Sequence, residues 1–392
     1  MSREYKDPYG GTDSQIGTQF NEFHYARKAL IETLPNQHFM PMADVTMQPK
    51  HYGKNIKKYL YVPLLDERNV NDQGINAAGA VIADGNLYGG AKDIGAITAA
   101  LPTIGENGGR VNRVGFTRLE LEGSMEEFGF FDEYTKDSVD FDTDAQLMMH
   151  VNREMLRGAT EVYEDVLQVD LLNAAGVVRY AGIATSDATI TGEGTASLVD
   201  YDDFVRLNII LNDNQTPKKT TMVVGSSMTD TRTIRSARYM FIGSELEPTV
   251  EQITNYFGEA AFVSVEKYAD AATIATDEIG SIGAFRLISV PKMLHWAGAG
   301  ANVSSNPGFH ASNGKYDIFP MLVVGDGSFT TIGFAMSGKN TKYRIIHKPP
   351  GEETADRTDP YGKTGFMSIT WWYGTLILRA ERIGLIKTVA RM

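Results

Sequence analysis

The amino-acid sequence predicts an α+β fold built around one long helix, and three observations support this. Apolar residues recur at gaps of three and four from Thr143 to Ala175, which is the period of one helix face. Segments rich in Val, Ile and aromatic residues before and after it have the pattern of strands. Stretches rich in Gly, Ser and Asn separate those segments, as loops do.

Composition limits the classes of function. The chain has 392 residues, enough for two or three domains, and 42% of them are hydrophobic. Its net charge of −12 disfavours strong binding to nucleic acid, which usually needs a basic face. The absence of cysteine excludes disulfides and thiolate metal sites. The polar N-terminal sequence lacks the apolar core of a signal peptide, and we expect no transmembrane helix.

Residues 1–55 have the character of an arm. They begin with polar, glycine-containing sequence and include a short amphipathic stretch, Phe20 to Leu34, which ends at Pro35. Such a segment has too little apolar surface to fold alone. We therefore expect it to lie on its own body or on a neighbouring subunit.

A long excursion within a hairpin follows. Residues 57–70 alternate and are rich in Tyr, Leu and Val, and residues 110–134 have the pattern of the returning strand. The segment between them is rich in small residues and glycine, without a sustained period. So long an irregular segment is unusual inside a compact domain. We therefore predict a loop that reaches another subunit.

The helix predicted from Thr143 to Ala175 is the clearest element. Thr143 and Gln146 match a capping box, and Gly176 is a suitable stop. Its length would be roughly 45–50 Å at about 1.5 Å per residue. Gly158 is a tolerated weak point within it.

The remaining segments predict further helices, strands and loops. We expect helices at 198–211, 230–241 and 249–257, and strands at 220–227, 261–268, 284–291, 319–334 and 341–350. Residues 295–316 are expected to form a loop and 357–366 a turn, and 365–390 has strand-like and mixed character. Trp371 and Trp372 are adjacent, so in a strand they would face opposite sides and both faces would need cover.

Candidate metal ligands have simpler structural explanations. Asp140, Asp142 and Asp144 begin like a calcium loop, but its sixth and twelfth positions hold Ala145 and Val151. Acidic residues before a helix are favoured by the helix dipole. His150 and Glu154 are four residues apart on the long helix, but two ligands do not make a site. The seven histidines are scattered, and we expect surface or hydrogen-bonded roles for His24, His38, His51, His150, His295, His310 and His347.

Glycine and serine motifs also favour structural roles. The glycines at 105, 108 and 109, followed by Arg110, lack the lysine-serine ending of a phosphate loop. Gly108 and Gly109 would instead serve as hinges. The sequence Gly325–Ser328 predicts a hairpin turn. Ser226 and Ser227 follow a strand but do not form a nucleophile elbow. We therefore predict no catalytic, cofactor-binding or metal-binding residue and expect no cofactor.

Four residues on the first predicted hairpin strand each suit two alternative roles. Lys57 and Lys58 suit either protection of a strand edge or contact with phosphate. Tyr59 and Tyr61 share one strand face and suit either an interface anchor or core packing.

Three sequence blocks resemble a known family. Residues 108–156 (GGRVNRVGFTRLELEGSMEEFGFFDEYTKDSVDFDTDAQLMMHVNREML), 167–176 (LQVDLLNAAG) and 359–386 (DPYGKTGFMSITWWYGTLILRAERIGLI) resemble the coat proteins of coliphage N-four-type podoviruses. The order of parts along the whole chain resembles the Hong Kong 97 fold of tailed-phage coat proteins. The resemblance implies an N-terminal arm (1–55), an extended E-loop (56–112), a peripheral domain with spine helix 143–175 (113–200), an axial domain (201–335) and a return to the peripheral domain (336–392).

The resemblance also implies function and partners. It implies a non-enzymatic major capsid protein that self-assembles as hexamers and pentamers into an icosahedral shell around double-stranded DNA. The expected partners are other copies of the chain, a portal protein at one vertex, optional scaffold and decoration proteins, and packaged DNA through weak contact, with no membrane. We expect it in the virion after assembly in the host bacterial cytoplasm. The family carries no catalytic residues, and we expect no lysine–asparagine crosslink.

Two alternatives stay open at this point. An encapsulin shares the fold and encloses cargo enzymes. A soluble α/β hydrolase or binding protein would need convergent polar groups in a pocket, and the sequence shows none.

Overall fold

The computed structural model describes residues 4–5, 14–15, 37–48, 53–62, 94–99, 103–106, 118–141, 147–223, 231–267, 274–334, 343–355 and 357–392. The α-helices are α1 (Ile94–Ala99), α2 (Lys136–Phe141), α3 (Leu147–Asn173), α4 (Tyr201–Asp213) and α5 (Glu247–Glu251). The strands are β1 (Glu4–Tyr5), β2 (Ser14–Gln15), β3 (Asp44–Gln48), β4 (Asn55–Tyr61), β5 (Arg118–Ser124), β6 (Glu126–Thr135), β7 (Val177–Tyr180), β8 (Lys219–Val223), β9 (Thr231–Gly243), β10 (Phe262–Ser264), β11 (Glu278–Ile282), β12 (Phe285–Val290), β13 (Ala311–Ser312), β14 (Lys315–Tyr316), β15 (Phe319–Val324), β16 (Phe329–Phe334), β17 (Tyr343–Lys348), β18 (Thr364–Tyr373), β19 (Thr375–Ile377) and β20 (Ile383–Thr388). The predicted mixture of helix and strand is confirmed.

A large mixed sheet forms the centre of the molecule. Its strand order is β10-β11-β12-β9-β15-β20-β7, and β8 also pairs with β9. The β12–β9 and β20–β7 pairs are parallel, and the other pairs are antiparallel. All six residues of β15 are buried. Its continuous apolar run is typical of a strand covered on both faces.

Helices cover the two faces of this sheet. Because side chains alternate along a strand, neighbouring residues of β9 enter different cores. Phe241 lies in the core that contains Leu167 of α3. Met240 lies in the core that contains Phe204 of α4 and Val250 of α5. The sheet is therefore the middle layer between the long helix and two shorter helices.

The long helix is confirmed between Leu147 and Asn173. Its 27 residues give a length of about 40 Å. Gly176 follows three residues later, where a Cβ atom would lie 2.6 Å from the carbonyl oxygen of Ala380. Only glycine permits that approach between backbones. Residues 142–146, with the predicted capping pair, lie outside the described residues.

Four sequence expectations are wrong at least in part. The strand predicted at 261–268 ends at Ser264, and a 3-10 helix, Val265–Lys267, follows it. The helix predicted at 230–241 is strand β9, because Tyr239 to Ile242 are all buried between β12 and β15 and so fill both faces. The helix predicted at 249–257 ends at Glu251, and a turn begins at Asn255, whose side chain accepts hydrogen bonds from backbone amides. Residues 325–328 form the expected turn but no hairpin, because β15 and β16 belong to different sheets.

The smaller sheets surround this centre. A three-stranded sheet has the order β17-β18-β6 and packs one face on α3. A second has the order β19-β16-β3, in which β3 and β16 are parallel. The strands β4 and β5 form a separate antiparallel pair.

Candidate assembly surfaces

The pair β4–β5, which we call the ribbon, carries two exposed aromatic side chains, Tyr59 and Tyr61. Its register joins Tyr61 to Arg118 at one end and Asn55 to Ser124 at the other. The chain between Tyr61 and Arg118 therefore leaves and returns at the same end. The predicted pairing of an outgoing and a returning strand is confirmed for β4 and β5, whereas β6, the second part of the predicted returning strand, pairs with β18 instead. Residues 63–93 and 107–117 lie outside the described residues.

One face of the ribbon is available for contact. Tyr59 is 53% exposed and Tyr61 is 65% exposed. The guanidinium of Arg118 lies 4.2 Å from the ring centroid of Tyr59, a cation–π contact that holds the ring in place. The core-packing alternative for these tyrosines is thus wrong for the single chain. Sequence reasoning missed Arg118, which the strand register would have placed beside them.

Ion pairs brace the same face. Lys57 Nζ lies 2.6 Å from a carboxylate oxygen of Glu120 and 3.8 Å from Glu122 on the paired strand. The hydrogen bond from Lys57 lowers the pKa of Glu120, and the same bond raises the pKa of Lys57. Lys58 points to the other face and donates a 3.0 Å hydrogen bond to Thr46. Both lysines therefore have partners within the chain.

The base of the ribbon is attached to the body. Its inner face contributes Ile56 and Leu121 to a small apolar cluster around Met125, Ile332 and Leu376. Gly123 sits so close to the neighbouring strand that a Cβ atom would lie 3.0 Å from the carbonyl oxygen of Thr375. The Asn55–Ser124 end of the ribbon is therefore fixed to the body, and the Tyr61–Arg118 end carries the exposed side chains.

Residues 37–48 join the predicted arm to the body. A carboxylate oxygen of Glu164 on α3 accepts hydrogen bonds from the backbone amides of His38 (2.7 Å) and Phe39 (2.6 Å). The ring of Phe39 is 1% exposed and packs 4.8 Å from Phe241. Strand β3 then pairs with β16. This part of the arm lies on its own body, and sequence reasoning did not identify Glu164 as its anchor.

The outer face of the β17–β18–β6 sheet is the second exposed surface. Trp371 is 1% exposed and lies beneath α3. Trp372 points to the opposite face, where Lys54 Nζ lies 5.2 Å from the centroid of the Trp372 ring. The prediction that the adjacent tryptophans face opposite sides is confirmed. Phe131 on the outer face is 66% exposed.

The candidate metal ligands do not come together in the part of the chain that the structure describes. No group of three or more His, Asp or Glu residues there could hold a metal ion. Asp140 lies in α2, whereas Asp142 and Asp144 are outside the described residues. His150 is half-buried on α3, and Glu154 lies 3.8 Å from Arg157.

The described histidines have ordinary contacts. His38 is buried 3.7 Å from Asp277, and burial lowers its pKa. His295 and His310 lie against Phe319, with centroid distances of 4.8 and 5.4 Å. His347 stacks on Tyr134. His24, His51, Ser226, Ser227 and residues 108–110 lie outside the described residues.

A cavity of about 240 Å³ lies beside the arm junction. It is lined by residues of four segments, among them Gln37, His38, Thr160, Gln168, Asp277 and Lys292. Its volume is below the range of about 300–1,000 Å³ typical of small-molecule sites.

No helix among the described residues is long and apolar enough to cross a membrane.

Comparison with solved structures shows where this fold occurs. The capsid protein of Ralstonia phage GP4 aligns over 96% of this chain and 97% of its own, with a TM-score of 0.57 and 11% identity. The head protein of Helicobacter pylori bacteriophage KHP40 aligns over 96% and 97%, with a TM-score of 0.52 and 10% identity. The fold is therefore one that phage capsid proteins share.

Sequence comparison gives the family. The model of the phage capsid protein family matches residues 118–387. The major capsid protein of Pseudomonas phage KPP21 is 53% identical over 390 residues, covering 99% of this chain and 98% of that protein. This chain therefore belongs to the phage capsid protein family.

Proposed function

We propose that this chain is the major capsid protein of a tailed phage, and that its copies form the icosahedral head shell around double-stranded DNA as hexamers and pentamers. The observation that carries the proposal is the 53% identity to a phage major capsid protein over nearly the whole chain. The ribbon supports it, because a braced strand pair with exposed Tyr59 and Tyr61 suits burial against a neighbouring subunit.

We assign the chain a Hong Kong 97-like organisation with the ranges predicted above. In this assignment α3 is the spine helix, the ribbon is the base of the E-loop, and the large sheet is the core of the axial domain. Strands β7 and β20 join that sheet from outside residues 201–335. Support comes from the order of these elements along the chain and from the exposure at the Tyr61 end of the ribbon.

The proposed partners follow from a shell role. Copies of the chain contact one another, a portal protein occupies one vertex, and scaffold and decoration proteins are optional partners. The net charge of −12 favours only weak contact with packaged DNA. Assembly takes place in the host bacterial cytoplasm, and the product is part of the virion.

The protein acts as a structural component, without catalysis. Support comes from the family, which is a class of structural proteins. The encapsulin alternative is weakened because both the family model and the 53% relative are phage proteins.

Size-exclusion chromatography and negative-stain microscopy of the purified full-length chain test the proposal. We expect hexamers, tubes or closed icosahedral particles. A monodisperse monomer at every concentration, with a bound small ligand, would overturn it. Neighbouring genes for a portal and a terminase would separate a phage shell from an encapsulin shell.

A further inference from the structure

The two outer strands of the β17–β18–β6 sheet carry opposite charge. Strand β6 (EEFGFFDEYT) contains four carboxylates and neither Lys nor Arg. Strand β17 (YRIIHK) contains Arg344 and Lys348 and no carboxylate. Each strand pairs only with β18 among the described residues, so each leaves one edge without a strand partner.

The charges on the outer face lie in rows set by the register. Glu133 is opposite Phe366, which is opposite Lys348. Two strand spacings, about 9.6 Å in total, separate the outer strands, too far for a direct ion pair. The side chains of Glu127, Glu133, Arg344 and Lys348 are exposed, and no ion pair joins them to another described residue.

The outer face between the charged edges is mixed, with the apolar Phe131 and Ile346 beside the polar Ser368 and Thr370. Phe131 is 66% exposed, and its row continues through Ser368 to Ile346. Both β6 and β17 run antiparallel to β18, so they are parallel to each other. A second copy placed beside the first in the same orientation would bring β6 of one copy along β17 of the other.

We propose that the acidic β6 edge of one subunit docks on the basic β17 edge of a second copy, with Glu127 and Glu133 facing Arg344 and Lys348. This inference rests on the proposed shell function. The contact uses different surfaces on the two copies, so it repeats from subunit to subunit and closes into a ring when the rotation permits. Complementary charge fixes the register of the contact and disfavours pairing of two like edges.

Two charge-reversed full-length variants test the contact. E127K/E133K has two basic edges, and R344E/K348E has two acidic edges. We expect each variant alone to lose most of its particles in sedimentation and negative-stain microscopy, with an unchanged thermal unfolding midpoint. A 1:1 mixture should recover even-membered rings such as hexamers, in which the two variants alternate and each edge meets its opposite. The fourfold variant, which exchanges the charges, should also recover assembly.

A matched control and the wild-type chain make the outcome specific. E251K/E266K makes the same change in net charge as E127K/E133K, but at exposed residues away from both edges. We expect it to assemble like the wild type. Normal assembly of both edge variants, or a mixture and fourfold variant that stay as defective as the single-edge variants, would overturn the edge contact. Failure of the wild-type chain itself to assemble would count against the proposed function instead.

Discussion

The hydroxyl of Tyr373 donates a 2.5 Å hydrogen bond to a carboxylate oxygen of Asp170. This bond joins the end of β18 to the C-terminal part of α3. Thr375 donates to the same oxygen at 2.7 Å. Burial raises the pKa of Tyr373, and the bond to Asp170 raises it further. The long helix is thus fixed to the sheet by polar contacts as well as by apolar packing.

Replacing Tyr373 with Phe should destabilise the folded chain by about 1.5–3 kcal/mol, the usual range for a hydrogen bond to a charged group. The ring would keep its edge-to-face contact with Tyr163, at 5.0 Å between centroids. Urea unfolding followed by tryptophan fluorescence measures the change. Y361F is the control, because Tyr361 is 86% exposed. Equal stability of Y373F and Y361F would contradict a role for this bond.

The two adjacent tryptophans should differ in their effect on stability. Trp371→Ala removes a ring that is 1% exposed and packs against Phe128 and Phe130. We therefore expect the free energy of unfolding to fall by about 3–5 kcal/mol. Trp372→Ala removes a half-buried ring beneath Lys54, and we expect roughly 1–2 kcal/mol. The same unfolding experiment compares them. A larger loss for Trp372 would show that the outer face is the better packed one.

Glu164 should hold residues 37–48 on the helix. Glu164→Ala removes the acceptor for the backbone amides of His38 and Phe39. We expect the free energy of unfolding to fall by about 2–3 kcal/mol. We also expect faster protease cleavage in residues 37–48. Glu154→Ala is the control, because that carboxylate lies on the same helix with a side chain 59% exposed. Limited proteolysis followed by mass spectrometry locates the cuts. Identical digestion of the two variants would argue against the anchor.

Glu193 should make stability depend on pH in the acid range. Its carboxylate accepts hydrogen bonds from the side chain and amide of Ser304, from the amide of Ser305 and from Tyr316, and these bonds lower its pKa to about 2 from the ordinary 4.5. Because the pKa of Glu193 is lower in the folded than in the unfolded chain, its ionised carboxylate stabilises the native state above about pH 4.5. This stabilisation is lost as the pH falls towards 2.

The variant Glu193→Gln should therefore unfold more easily at neutral pH and show a weaker pH dependence between about pH 4.5 and 2. Thermal unfolding of both proteins across that range measures the difference. Parallel pH profiles for the variant and the wild type would exclude this role of Glu193.

The excursion carried by the ribbon should be needed for assembly but not for folding. Deleting residues 70–105 and joining the ends with a short flexible linker should leave a folded subunit, because the pairing of the ribbon and the apolar cluster at its base are formed by residues outside the deleted range. Closed shells should be lost. Circular dichroism checks folding, and electron microscopy checks assembly. Normal particles from the deletion variant would contradict the loop assignment.

The sequence predicted best the elements whose pattern is local. Helix α3 shows a continuous 3.6-residue period because one of its faces packs on the core. The adjacent tryptophans had to face opposite sides in any strand. The sequence alone does not decide whether Tyr59 and Tyr61 are exposed, because alternation places residues on one face without saying whether that face is covered.

The failed predictions concern features that tertiary contacts decide. The part of β9 from Tyr239 to Ile242 lacks alternation because both of its faces are covered, and such a run resembles a helix segment. Strands β15 and β16 follow each other through a turn yet pair with distant parts of the chain, including β3. The hydrogen bonds that the backbone amides of residues 38 and 39 donate to Glu164 join positions more than 120 residues apart, which no local pattern records.

The most direct test is a cryo-electron microscopy map of the particle that the full-length chain forms. In the isolated subunit Tyr59 and Tyr61 are 53% and 65% exposed. We expect the map to show closed shells in which both side chains are buried against a neighbouring subunit. Shells in which both tyrosines still face solvent, or a chain that forms no particle, would contradict the account.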